Sequence, residues 1–400
     1  RLISLGAKRN RRVAALRPVR NLESEIPLFQ VAETGSVTQI GRLISIHPRS
    51  FVLILDATPF RPQYFPDIPF FLDDIRPQGF LGRAFTQKYA DLKLPPRILD
   101  WRSEDILEAL ARRGADLTGN LFLGSESFER YQVLGSSDDS NAESYVTLAQ
   151  AAVDGHPPGS SAGGEQPKFG TRRISDSGEI QKVLVKFSPA GQSFAAERWR
   201  DLLICESLAL EILREAGLRA VESQILESGG RTFLETVRFD RVGARGRRGI
   251  LSLAALENQY IGRNENWAAS AQELEKQGII SGEDLQRIQK LECFGRLIAN
   301  TDRHPGNLSF FWELGSSGAS LAPVYDMLPM LYAPSGGGEE IRREFSMPTF
   351  DHTLLSAWKE MTPWAIRYWE RIQATPALSS AFRMRVAKNA NLIRIEGRRL

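Results

Sequence analysis

Cysteine is nearly absent: the 400-residue chain holds 2, Cys205 and Cys293, far apart and each inside an apolar helical pattern. Neither a disulfide framework nor a cysteine zinc site can be built from such a pair, and a reducing cytosol is the compartment it suits. Long apolar runs are missing as well. Nothing approaches the ~20 residues that span a bilayer, and the N-terminus has no signal-peptide hydrophobic core. These absences predict a soluble, cytoplasmic protein with no membrane partner. There is also no excess of one charge. Against 51 Lys and Arg stand 48 Asp and Glu, a net +3, so the overall charge does not point to a polyanionic partner.

What is present is a globular composition. With 42% hydrophobic residues over 400 positions, the chain can bury a core and divide into two or three folding units. The basic residues are unevenly placed. RLISLGAKRNRRVAALRPVR, residues 1–20, carries seven Arg or Lys and no acid, which suits a flexible arm, the edge of a nucleic-acid-binding element, or a solvated tail. The first residue is Arg1 rather than Met, which is compatible with a preceding region.

Patterning divides the chain into a basic segment (1–35), an α/β subdomain (36–145), a mixed region (146–245) and a helical region (246–400). Residues 36–56 alternate around the turn-like HPRS and predict two antiparallel strands. SEDILEALARRGA predicts a helix with Ser103 as its N-cap. DGHPPGSSAGGEQPKFG, residues 154–170, predicts a loop. EIQKVLVKF then reads as a strand, SFAAERWRDLLICESLALEILREAG as a long helix closed by Gly217, and VESQILES with RTFLETVRF as a strand pair turned at Gly229 and Gly230. The helical pattern EDLQRIQKLECFGRLIAN runs into NTDRHPGNLSFF. No internal repeat is present.

Phosphoryl transfer needs a loop over the phosphates, a lysine on them, magnesium ligands and a carboxylate that orients the attacking hydroxyl. Candidates for each occur in order. SSAGGEQPKF can expose backbone N–H groups because Gly163 and Gly164 tolerate open geometry, although a plain surface loop reads the same way. Lys186 sits in the apolar VLVKF, where a lysine needs an anionic partner unless it reaches solvent from an edge strand. Glu206, in the long helix, could hold its ammonium, or could be an ordinary exposed glutamate. Asp302 and Asn307 have the D-x-x-x-x-N spacing of kinase catalytic loops. LAPVYDM places Asp326 at the end of an apolar strand as a second oxygen ligand for a hard cation. His304 reads as structural, with 4 His in the chain and no helical or strand partner.

At these residues the chain resembles the HipA-type serine/threonine kinases of bacterial toxin–antitoxin modules. SSAGGEQPKF, VLVKF, RFDR (238–241), NTDRHPGN and VYDM carry the likeness from about residue 150 onward. The resemblance implies an α+β, two-lobed protein-kinase-like fold with an extra N-terminal α/β subdomain and a helical C-lobe. It implies ATP and Mg²⁺ as cofactors, Asp302 as catalytic base, Lys186 as the phosphate-binding lysine with Glu206 as the catalytic residue beside it, and Asn307 and Asp326 as metal ligands. Ser161, Gly163, Gly164, Gln166 and Lys168 would line the phosphates, and backbone near Val237 and Phe239 would meet the adenine. Ser161, or Ser160 in its place, is the implied autophosphorylation site. The implied partners are a protein substrate such as an aminoacyl-tRNA synthetase, an antitoxin, and DNA. Within the family the chain is similar to the stand-alone YjjJ-like branch, where a helix-turn-helix precedes the kinase and residues 1–20 would form its basic wing. Pro167 and SLAALENQY depart from the main branch and leave substrate choice open. Two other readings stay in play. One is a phosphoinositide-kinase-like enzyme, which lacks a basic amphipathic anchor here. The other is a DNA-binding regulator with an inactive kinase domain, which the full set of catalytic candidates opposes. Residues 335–350 read as a mobile loop.

Overall fold

A computed structural model of the chain describes residues 2–5, 12–57, 62–133, 142–155, 166–175, 177–262, 265–349 and 351–397. Two compact units are present. Arg1–Asp139, Ala151–Lys182 and Asp240–Leu251 form the first; Ser140–Gln150, Val183–Phe239 and Ser252–Leu400 form the second.

The first unit is built on a five-stranded antiparallel sheet in the spatial order Gln63–Phe65, Ser50–Leu55, Val37–Ile46, Glu25–Val31, Leu121–Leu123. The strand pair expected around HPRS is its centre, with Leu43, Ile44, Val52 and Leu53 buried. The register shifts between Leu28 and Phe29, opposite Gly41. A Cβ at Gly41 would stand 2.2 Å from the Ile54 carbonyl oxygen, so the crowded bulge requires glycine.

The N-terminal segment is less an arm than an added layer. Leu2–Leu5 pairs with Arg12–Ala15, and Ile3 and Ala14 pack on Ile44, Ile46 and Val52. Two of its arginines are neutralised on the helix Ser103–Arg113: Arg17 pairs with Glu104, and Arg20 with Asp105 and the buried Glu108. That helix starts where the pattern placed it, but Ser103 does not cap it. Arg102 is the N-cap, Asp105 reaches back to accept its N–H at 2.9 Å, and the Ser103 hydroxyl donates to Asp67 instead.

The loop expected over 154–170 ends early. Lys168–Ile174 is a strand with Lys168 buried, and residues 156–165 lie outside the described residues.

In the second unit, Arg231–Val237 pairs antiparallel with Ser223–Ser228 on one side and with Val183–Phe187 on the other. The turn uses Gly229 and Gly230 at φ +56° and +70°, a left-handed pair that side chains resist. Register sets Lys186 opposite Leu234, so both face one side of the sheet while Phe233 and Glu235 face the other. That other side is covered by Tyr145, whose hydroxyl donates to Glu235 and whose ring lies 5.7 Å from Phe233. The helix Phe194–Glu215 is capped by Ser193, which accepts the Ala196 N–H at 3.2 Å, and is closed by Gly217 at φ +79°.

The helices Trp267–Lys276, Gly282–Leu297, Leu355–Ala374, Ser380–Val386 and Asn389–Gly397 complete this unit. Trp358, Tyr368 and Trp369 are fully buried among them, and Trp369 donates its indole N–H to the Leu297 carbonyl at 3.1 Å. Cys205 and Cys293 are buried here, and burial pushes the Cys293 thiol up to about 12, which removes both from nucleophilic chemistry.

Residues 335–349 carry an internal turn and touch the helices of this unit. Ser335 Oγ accepts the Glu339 N–H at 3.0 Å, Arg385 donates to the Arg343 carbonyl at 2.5 Å, and Phe345 lies 6.2 Å from Trp369.

Candidate active site

Lys186 is only 4% exposed and Glu206 is fully buried. A lysine taken from water this completely needs carboxylate partners, and it has two. Its Nζ lies 2.7 Å from both Glu206 carboxylate oxygens and also contacts Asp326. Burial disfavours the ammonium, but the Asp326 and Glu206 carboxylates outweigh that penalty and hold Lys186 above its ordinary range, charged at any physiological pH. Strand and helix thus present one cation, and Asp326 joins it from a third segment.

Asp326 does not end a strand, as its apolar context suggested. Beyond Ser320–Leu321 the chain makes only a bridge from Val324 to Ala220, and Asp326 itself adopts φ +53°. That left-handed backbone at a non-glycine residue marks a constrained position.

Asp302 follows the end of helix Gly282–Leu297, after Ala299 at φ +60°. Its side chain is exposed, which leaves it open to a substrate. Desolvation by the surrounding protein and the nearby Asp326 charge raise its carboxyl above the usual range, against the pull of His304. Asn307 is buried, and its side-chain nitrogen donates to the Asp302 carbonyl at 2.9 Å. His304 is occupied structurally: Nδ1 accepts the Gly306 N–H at 3.1 Å, and its carbonyl accepts the Trp267 indole N–H at 3.0 Å.

Asn300, 1% exposed, was not singled out by motif spacing, yet it joins the two carboxylate segments. Its Oδ1 accepts the Asp302 N–H at 3.0 Å and its Nδ2 donates to the Asp326 carbonyl at 3.3 Å. Arg303 braces the same loop, donating to the Asn300 carbonyl while its Nε lies 3.4 Å from the buried Glu292. Gly295 leaves room for it, since a Cβ there would stand 2.6 Å from Arg303 Cδ. The available signal was an Asn directly after an apolar helix, where a polar side chain replaces lost helical hydrogen bonds.

The remaining candidates divide. Val237 donates its N–H to the Glu222 carbonyl at 3.0 Å, so that donor is committed to the fold. The Phe239 ring packs 5.9 Å from both Phe311 and Tyr325. Gln166 and Lys168 belong to the first unit, and the Gln166 amide nitrogen is shielded from solvent with no hydrogen-bond partner among the described residues. Ser160, Ser161, Gly163 and Gly164 lie outside the described residues.

A buried lysine tied to a helix glutamate and an aspartate, beside a D-x-x-x-x-N loop, belongs to the kinase-like folds. The HipA-like C-terminal domain family matches residues 160–386, and the YjjJ-like toxin middle domain matches residues 22–132. The chain is 38% identical over 390 residues to the toxin YjjJ of Escherichia coli (strain K12), covering 96% of this chain and 87% of that protein. The chain therefore belongs to the HipA-like toxin family. In structure it is similar to HipA of Shewanella oneidensis MR-1, solved with HipB and operator DNA, at a TM-score of 0.60 and 17% identity over 94% of this chain and 97% of that one. Against the Helicobacter pylori proinflammatory kinase CtkA the TM-score is 0.40 with 15% identity, over 57% of this chain and 93% of that one. Among the described residues no helix is long and apolar enough to cross a membrane.

Proposed function

We propose that the protein is an ATP- and Mg²⁺-dependent serine/threonine kinase that moves the γ-phosphoryl group of ATP to a protein hydroxyl. The observation that carries this reading is Lys186 held between Glu206 and Asp326, with Asn300 tying the Asp302 loop to the same Asp326 segment.

The donor set fits a hard divalent cation. Asp326 offers carboxylate oxygen, and because the Asn307 nitrogen is spent on the Asp302 carbonyl, the amide oxygen is the atom left for a cation. Asn307 and Asp326 would hold Mg²⁺, which when bound neutralises phosphate charge. The chain's own residues do the rest. Lys186 orients the phosphates, Glu206 keeps its ammonium in place, and Asp302 accepts the proton of the attacking hydroxyl. A carboxylate above its usual range is a better base for that proton. The Phe239 region would meet the adenine, and Ser161 or Ser160 would take phosphate in cis. By family likeness, the proposed substrate is a translation protein such as an aminoacyl-tRNA synthetase, with an antitoxin and DNA as further partners.

Labelled ATP with a bacterial lysate, read by mass spectrometry, tests this. Label is expected on protein Ser or Thr, including Ser160 or Ser161, and is expected to fall roughly 10²–10⁴-fold in Asp302→Asn and to vanish in Lys186→Met. Label confined to lipid would replace the reading with a lipid kinase, and no transfer at all would leave a regulator.

A further inference from the structure

Tyr325 stands directly before Asp326, and Gly306 directly before Asn307, so anything that joins Tyr325 to Gly306 sets the spacing of the two proposed metal-holding residues. The Tyr325 hydroxyl makes that join, donating to the Gly306 carbonyl at 3.1 Å. A phenol has one proton. Its second contact, 2.7 Å to Ser309 Oγ, must therefore be one in which Ser309 donates. Ser309 is buried and starts the short strand Ser309–Phe311, which pairs with Ser320–Leu321 on one side. The Tyr325 ring is held by Phe239, 5.9 Å away and tilted 30°. On the inner side Asn300 makes a second stitch, from the Asp302 N–H to the Asp326 carbonyl.

We propose that Tyr325, oriented by Ser309, is a positioning residue that works with Asn300 to lock the Asp302–Asn307 loop onto the Asp326 segment. Together they fix the distance between the Asn307 amide and the Asp326 carboxylate. The inference rests on the kinase reading above and adds a residue to which that reading gives no role. The hydroxyl contacts the Gly306 carbonyl and the Ser309 hydroxyl. It acts through one main-chain carbonyl, that of Gly306, which explains why motif spacing does not mark it.

Tyr325→Phe removes one oxygen and keeps the ring, so the fold and the Phe239 contact survive. Two readouts follow. In Mn²⁺ titrations of the full chain with a non-hydrolysable ATP analogue, followed by electron paramagnetic resonance, the variant is expected to bind Mn²⁺ three- to tenfold more weakly. In transfer assays the Mg²⁺ concentration for half-maximal rate rises by a similar factor. Ser309→Ala shifts both in the same direction but less, and Ser309→Ala with Tyr325→Phe shifts them no further than Tyr325→Phe alone. Metal affinity within twofold of the parent in Tyr325→Phe, or additive effects in the double variant, overturns the proposal. Asp302→Asn separates the two levels: transfer falls roughly 10²–10⁴-fold, while Mn²⁺ binding survives. If the parent protein binds Mn²⁺–nucleotide but transfers no phosphate, the kinase reading fails and the clamp is judged on affinity alone. If it binds neither, both fail.

Discussion

Asp302 is exposed and still has a raised carboxyl, because desolvation and the Asp326 charge both penalise its ionised form while His304 favours it. Only the ionised carboxylate can accept a proton. Transfer should therefore fail on the acid side at a pH above the ordinary carboxylate range, and His304→Ala should move that limb further toward alkaline pH in a rate–pH profile. The linkage to folding has the same sign. A folded-state value above the unfolded one means the ionised group costs stability at neutral pH, and acidification through the raised value relieves that cost. Lys186, Glu206, Asp302, Asn307 and Asp326 could be picked out of the sequence because the proposed phosphoryl transfer would demand those side-chain types in that order. Asn300 and Tyr325 could not. The atoms they bond, the Asp302 N–H and the Asp326 and Gly306 carbonyls, are main-chain groups that every residue possesses, and only the fold brings them within reach.

Elements were readable where a physical requirement leaves a residue signature. Consecutive glycines marked the left-handed turn at Gly229 and Gly230, and periodic apolar residues marked Phe194–Glu215 and Gly282–Leu297. Two polar residues were misread because local composition does not reveal where the fold places a side chain. Ser103 had the composition of a cap but was drawn to Asp67, and Lys168 had the polarity of a loop but is buried in a strand. Gly41 offers a test at this level. Its Cβ position lies 2.2 Å from the Ile54 oxygen and 2.9 Å from Leu55 Cα, both backbone atoms that cannot swing aside. Gly41→Ala should force the central strand pair apart and cost about 2–3 kcal/mol by overpacking, read as a lower midpoint in urea denaturation. Gly191→Ala, with nothing within 4 Å of its Cβ position, gives a comparison free of overpacking but strained by its φ of +93°.

For the whole molecule, charge counted along the chain overstates charge available to a partner. Arg17 and Arg20 come from its most basic stretch, yet both are paired with Glu104, Asp105 and Glu108. Nucleotide binding, by contrast, should register in global stability. At 100 times its dissociation constant a ligand specific to the folded state adds ~2.7 kcal/mol. Mg²⁺–ATP should therefore raise the calorimetric Tm by roughly 3 °C, and Lys186→Met should lose that rise. The chain alternates between the two units in six segments, the first unit taking Arg1–Asp139, Ala151–Lys182 and Asp240–Leu251. That interleaving has a genetic consequence. A deletion of the opening third would orphan two later strips of the same unit, and a stop codon anywhere upstream of residue 252 would leave both bodies incomplete. Cells selected to escape such a toxin should then carry disabling nonsense and frameshift alleles spread along the whole reading frame, not gathered around the codons of the catalytic loop.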